Sequence, residues 1–230
     1  MKKTRLLLFS LFWLALLADC FLIISHRDEY RLYTKTLLVP ILLIAIYSES
    51  LSTKHKRSYV LINLAFFFCF TGDFLLLNDA DPTNFIFGLS SFLIAHIFFI
   101  IFFYRLKPFT AKYRIFLFLA GTGILVYVLC LLFLIWVNLS RQNLEIPVAV
   151  YTIALGFMML AAIGTIKNKS LKRLAATYFI PGAAFFILSD SILAYTKFSL
   201  AFSYGGVLVM VTYATAIFLI ANGAILFLKK

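Results

Sequence analysis

The sequence predicts an all-α integral membrane bundle of eight transmembrane helices. Three observations predict it. Of 230 residues, 63% are hydrophobic and only 13% charged, against about 45–50% apolar and about 25% charged in a soluble domain. The apolar residues fall into eight runs, most near the ~20 residues a bilayer crossing needs. The basic residues gather between alternate runs, as loops held on the cytoplasmic face do. Ten Gly and five Pro in so apolar a chain exclude disorder and collagen-like repeats. Three Cys exclude a disulfide scaffold, and with three His they leave no expectation of a metal centre.

The first span, 6–24, follows Lys2, Lys3 and Arg5. Its start, MKKTRLLLFSLFWLALLADC, has the outline of a secretion signal. However, the apolar run continues through FLII past Cys20, and Asp19 stands where a lipoprotein cleavage box takes a small residue. An uncleaved first helix is therefore expected. The second span, 36–47, is short in strictly apolar residues and extends back through Tyr33 and Lys35, whose stems can lie along the apolar zone. The others follow at 58–77, 85–104, 114–137, 147–166, 174–195 and 203–228, all within one membrane domain of residues 1–230. All three Cys fall inside spans, where they behave as small hydrophobes. With both termini cytoplasmic, 16 of the 21 Lys and Arg lie inside and 5 outside. This predicts an N-in, C-in topology and accounts for the net charge of +12. Basic residues and base-stacking aromatics do not interleave in long runs, so no nucleic-acid partner is expected.

Ionisable groups inside spans cost ~2.5–3.5 kcal/mol on insertion scales and are functional candidates by default. Four stand out: Asp19, Asp73, His96 and Asp190. In the predicted topology the three Asp lie about one turn inside the outer boundary, roughly 6–8 Å deep. His96 falls near the middle of its helix, so one polar pocket open to the outer leaflet can hold all four. Each has a structural alternative. Asp19 can pair with a basic neighbour such as Lys35, and a lone His on an apolar helix is more often a hydrogen-bonded core residue.

Asp73 and Asp190 occur in matching contexts. Residues 72–76 read GDFLL and 189–193 read SDSIL, an offset of 117 residues. The same offset carries Phe87-Gly88 onto Tyr204-Gly205 and His96 onto Tyr213. The offset spans an even number of helices, so helices 1–4 and 5–8 would form a parallel repeat about an axis along the membrane normal. Asp73 and Asp190 would then face each other at equal depth. Gly88, Phe92 and His96 share one face of helix 4; Gly182, Phe186, Asp190 and Leu193 share one of helix 7. Close helix packing explains the glycines; it does not explain the carboxylates.

The run FTGDFLLL followed by FIFGLSSFLIAHIFFIIFFY resembles the G-D-x-x-L … F-x-x-G-L-x-x-F-x-x-A-H-x-x-Y pattern of the YhhN family. The run PGAAFFILSDSILAYTKF resembles its G-A-x-x-F-x-x-S-D-x-x-L-A pattern, and YTKTLLVP its Lys-containing entry to helix 2. Thr36 stands where that family often has Pro, and Phe99 where it often has Tyr. The resemblance covers nearly the whole chain. It implies a lysoplasmalogenase: a multi-pass hydrolase of the vinyl-ether bond in lysoplasmalogen, releasing a fatty aldehyde and leaving glycerophosphoethanolamine or glycerophosphocholine. No cofactor and no metal are implied.

The charged residues suit that chemistry. Vinyl-ether hydrolysis protonates the β-carbon, and water attacks the resulting oxocarbenium ion. One protonated and one ionised carboxyl supply both needs, as in glycoside hydrolysis. Asp73 and Asp190 are the candidate pair, with their individual roles open, and His96 would orient one of them or shuttle protons. Lys35 would hold the lipid phosphate, and Asp19, Gly88 and Tyr213 would line the substrate site. The loop NDADPTN between helices 3 and 4 has no cation, so Asp79 and Asp81 would attract a cationic headgroup. The expected partners are a lysophospholipid substrate and membrane lipid, in a bacterial cytoplasmic membrane, with oligomeric state open. A proton-coupled transporter or a non-catalytic lipid-binding membrane protein is the alternative reading of the same intramembrane Asp and His.

Overall fold

The computed structural model describes residues 2–78, 81–106 and 114–230. The described residues form helices and no strand. Eight helices are long and apolar enough to cross a membrane: α1 (Lys2–Ile24), α2 (Arg31–Ser50), α3 (Lys56–Leu75), α4 (Pro82–Leu106), α5 (Arg114–Ser140), α6 (Glu145–Gly164), α7 (Lys172–Phe198) and α8 (Gly205–Leu228). The protein is a multi-pass membrane protein. The second helix is longer than its strictly apolar core at both ends. A 3₁₀ turn at Asp28–Tyr30 leads into it, and Lys35 is buried within it. Helix formation here costs little, because in lipid every unpaired backbone group is expensive and a helix satisfies its own.

Sequential helices pair: α1 with α2, α3 with α4, α5 with α6 and α7 with α8. Further contacts of α4 with α6 and of α8 with α1 and α2 close the bundle. Its interior is rich in rings, among them Phe66, Phe99, Phe103, Phe179 and Phe186, none of which has exposed surface. Several meet edge to face, as Phe66 and Phe99 do at 5.7 Å, the arrangement the ring quadrupole favours. Leu, Ile and Phe side chains of α1 and α5 point outward; a hydrocarbon solvent tolerates this and water would not.

Two local features place α7. Gly182 lets it approach α8: a Cβ there would lie 2.7 Å from Ile220 Cγ1 and 3.2 Å from the Ala216 carbonyl oxygen. Immediately before Asp190, Ser189 Oγ donates to the Val209 carbonyl at 3.0 Å and fixes the register of the pair. Near its start, α7 passes through a π-helical stretch, Ala175–Phe179, where the Ile180 amide bonds to the Ala175 carbonyl. Pro181 follows, with no N–H to donate, so the widened turn absorbs the break in the ladder. At the opposite end of the bundle Lys229 donates to the buried Glu49 carboxylate and Thr53 Oγ1 donates to the Leu228 carbonyl at 2.7 Å, tying α8 to the end of α2.

Candidate active site

Asp73 near the end of α3 and Asp190 in α7 line one cavity of about 410 Å3. Their walls are shared by α2, α4, α6 and α8, which contribute Lys35, Phe92, Tyr151 and Tyr213. Each carboxylate is held by a phenol. Tyr213 Oη donates to Asp73 Oδ2 at 2.6 Å. Tyr151 Oη donates to Asp190 Oδ2 at 2.5 Å. Short contacts of this kind are the stronger, charge-assisted class of hydrogen bond.

His96 does not line the cavity; it stands behind Asp190 with no exposed surface. Its Nε2 lies 3.0 Å from Tyr151 Oη and 3.7 Å from Asp190 Oδ2. Where the phenol gives its proton to the carboxylate, Nε2 must carry the hydrogen that Tyr151 Oη accepts. Nδ1 then holds the lone pair, and it is buried with no hydrogen-bonding partner among the described residues. Phe186 packs edge-on against the imidazole, with ring centroids 4.8 Å apart, and fixes its plane. The result is a chain of three groups in hydrogen-bond contact, His96–Tyr151–Asp190.

Of the residues singled out from sequence, the cavity brings together Asp73, Asp190, Lys35 and Tyr213, with His96 one group behind. The others lie elsewhere. Asp19 is fully buried away from the cavity wall, where its carboxylate accepts from Arg31 and from Thr34 Oγ1. Its salt-bridge partner is thus Arg31, one turn before Lys35. Gly88 seats the Leu76 side chain, 2.8 Å from where a Cβ would sit, and is a packing position between α3 and α4. Asp81 accepts from the Thr83 amide at 2.8 Å, as a residue capping the start of α4 does. Asp79 lies outside the described residues.

Three cavity residues were not apparent from sequence: Arg31, Tyr151 and Lys197. Arg31 and Lys197 sit at span ends, where a basic residue looks topogenic. One signal did point to Tyr151. Carrying the 117-residue offset from Lys35 lands on Thr152, its neighbour, and both Tyr151 and Thr152 line the cavity. Among the described residues no group of three or more His, Cys, Asp and Glu could hold a metal ion.

The model of the YhhN family matches residues 30–224. Two proteins named Lysoplasmalogenase, from Mycobacterium bovis (strain ATCC BAA-935 / AF2122/97) and Mycobacterium tuberculosis (strain CDC 1551 / Oshkosh), are each 33% identical to this chain over 159 residues. That alignment covers 66% of this chain and 56% of each relative, so the chain spans little more than half the length of the curated relatives it matches. No solved structure matches it. With a family match that runs from the turn before α2 to the last turns of α8 and takes in Asp73 and Asp190, this chain belongs to the YhhN family.

Proposed function

We propose that this protein hydrolyses the vinyl-ether bond of lysoplasmalogen, with Asp73 and Asp190 as its acid–base pair. The observation that carries the reading is that these two carboxylates line one cavity, each under its own tyrosine. The name of the two mycobacterial relatives agrees with it. In the first step one carboxylic acid gives its proton to the β-carbon of the alkenyl ether, and the α-carbon and ether oxygen share the positive charge. The ionised carboxylate stabilises that cation across a medium of low dielectric. Water then adds to the α-carbon and loses a proton to a carboxylate. The hemiacetal collapses as its hydroxyl proton leaves and the glycerol oxygen takes one up. One water is consumed, a fatty aldehyde and a glycerophospho-headgroup leave, and both carboxyls return to their starting states without any redox change. The His96–Tyr151 pair holds Asp190 in orientation and offers a route by which its proton is exchanged.

We infer further that the two halves of the chain are related by a parallel repeat, with both termini cytoplasmic and the cavity open to the outer leaflet of a bacterial cytoplasmic membrane. The cavity's own residues support the repeat. Seven pairs of them are 117 positions apart, among them Arg31 with Val148, Lys35 with Thr152, Asp73 with Asp190, Leu76 with Leu193 and Phe92 with Val209. The carboxylate contacts also cross in the way a two-fold relation requires. Asp73 meets Tyr213 and Asp190 meets His96, and the offset exchanges these two pairs.

The deciding experiment incubates purified protein with a lysoplasmalogen and with an ester lysophospholipid of the same chain and headgroup. The expected result is stoichiometric aldehyde and glycerophospho-headgroup from the first alone. No aldehyde from folded protein would remove the hydrolytic reading and leave transport or lipid binding.

A further inference from the structure

At the positions that the 117-residue offset pairs, the cavity matches a carboxylate with a carboxylate but not a cation with a cation. Asp73 and Asp190 occupy equivalent positions of the two halves, but the equivalents of Arg31 and Lys35 are Val148 and Thr152. The α2 wall of the cavity therefore carries Arg31 and Lys35, and the α6 wall carries Val148, Thr152 and Leu155; the third cation of the lining, Lys197 of α7, stands over the Phe85 ring at 4.5 Å.

Arg31 is fixed in that wall. Asp19, whose side chain has no exposed surface, accepts from its Nε and Nη2, each at 3.3 Å. Thr34 Oγ1 donates to the same carboxylate at 2.8 Å and holds it in place. This occupies the Nε/Nη2 edge of the guanidinium. On the Nη1/Nη2 edge, Asp28 Oδ1 lies 3.5 Å from Nη1, but that side chain is 72% exposed. An exposed partner at that distance is screened and readily exchanged. Lys35, one turn further along α2, is buried and lines the same cavity. A guanidinium anchored by one edge to a buried carboxylate, with an ammonium one turn away, suits a tetrahedral oxyanion: the planar fork gives direction and the ammonium adds a point charge.

We propose that Arg31, positioned by Asp19 and assisted by Lys35, binds the phosphate of the lysophospholipid headgroup, and that the alkenyl chain lies along the opposite wall at Val148 and Leu155. This rests on the lysophospholipid reading above and sets a polarity for the substrate. Headgroup phosphate sits on the side of the first half, and the ether bond lies between Asp73 and Asp190. It also makes the phosphate, rather than the glycerol or the chain, the feature that selects substrates.

The test measures binding to purified protein in lipid nanodiscs, with a saturated alkyl-ether lysophosphocholine and the matching alkylglycerol, neither of which carries a vinyl ether. Wild type should hold the lysophosphocholine on the order of 10-fold or more tighter. Arg31→Gln should weaken it on the order of 10- to 100-fold, the range for a lost hydrogen bond to a charged group, and leave the alkylglycerol unchanged. Asp19→Asn should shift the same ratio in the same direction, with Asp19→Glu restoring part of it. Should Arg31→Gln not yield folded protein, Lys35→Gln decides in its place, with the same selective loss expected. An unchanged ratio, or equal weakening of both ligands, overturns the proposal. Inorganic phosphate alone should bind far more weakly than the lysophosphocholine; equal affinity would make this a free-anion site and overturn the lipid assignment. Binding needs no turnover, so the two readings fail separately. Absent aldehyde release with an intact phosphate preference removes only the hydrolysis. Aldehyde release without the preference removes only the phosphate subsite.

Discussion

Asp73 and Asp190 share a cavity but not a setting. Asp73 is almost fully buried and takes its hydrogen bond from Tyr213, whereas Asp190 has a phenol and an imidazole beside it. Asp73→Asn and Asp190→Asn should each lower aldehyde release by at least ~10²-fold, the lower range for acid–base groups. Folded protein with near-normal turnover after either change would end the two-carboxylate mechanism. Tyr213→Phe and Tyr151→Phe remove one charge-assisted hydrogen bond each and should cost roughly 10- to 100-fold in kcat, from the 1.5–3 kcal/mol such bonds carry. The Tyr151 change should also alter the pH profile, because it cuts His96 from Asp190, and an unshifted profile would assign Tyr151 to packing alone. The catalytic candidates were legible because a charge inside an apolar run is conspicuous. Tyr151 was not, since a tyrosine in a span is ordinary until its hydroxyl has a partner. Asp19 stood out for the same reason as Asp73, yet its charge serves Arg31. Sequence shows that a buried charge needs a partner; it does not show which way either side chain turns.

Helix number and the approximate spans followed from run length and charge, because in lipid the only satisfied backbone for a single segment is a helix. The second helix was harder to bound, since Lys35 and the boundary residues before it interrupt its apolar run while remaining helical. The close approach of α7 and α8 was visible as Gly182, and its necessity lies in the atoms it meets. Gly182→Leu should push the helices apart, lower the unfolding temperature in detergent and reduce turnover together, because Asp190 and Tyr213 ride on the separated elements. Over-packing of this kind costs about 1–3 kcal/mol. A variant with unchanged melting and activity would show that the interface adapts. In the loop before α4, Asp81 stands at the helix start and not in the cavity lining. Asp81 caps α4, so Asp81→Ala should cost about 1 kcal/mol of stability, while Asp81→Asn, also a good cap, should change neither melting nor KM. A raised KM for a zwitterionic lysolipid in the Asn variant at low salt would return this residue to the substrate path.

For the whole molecule, the charge asymmetry predicts the orientation, and the cavity inherits it. In a variant lacking Cys20, Cys69 and Cys130, a single Cys placed at His26 or Arg141 should react with an impermeant thiol reagent added from outside. One placed at Ser170 should react only after permeabilisation. The reverse pattern would turn the cavity mouth toward the cytoplasm. The proposed repeat rests on six positions of sequence, and seven pairs of cavity residues share the same offset. What sequence could not supply was where the two halves differ, since one basic residue at a span boundary looks like any other until it is seen facing a cavity.

The crossed contacts of the two carboxylates carry a consequence for how the gene could be divided. Asp73 is served by Tyr213 and Asp190 is approached by His96, so each acid takes a partner from the far side of the α4–α5 junction. Neither four-helix half contains a finished acid–partner set for both groups. Two polypeptides split at that junction should each be inert, yet regain aldehyde release when co-expressed in one membrane. On the proposed repeat, a lone ancestral half would have worked only as a pair of identical copies, and fusion would have freed the two walls to acquire different tasks.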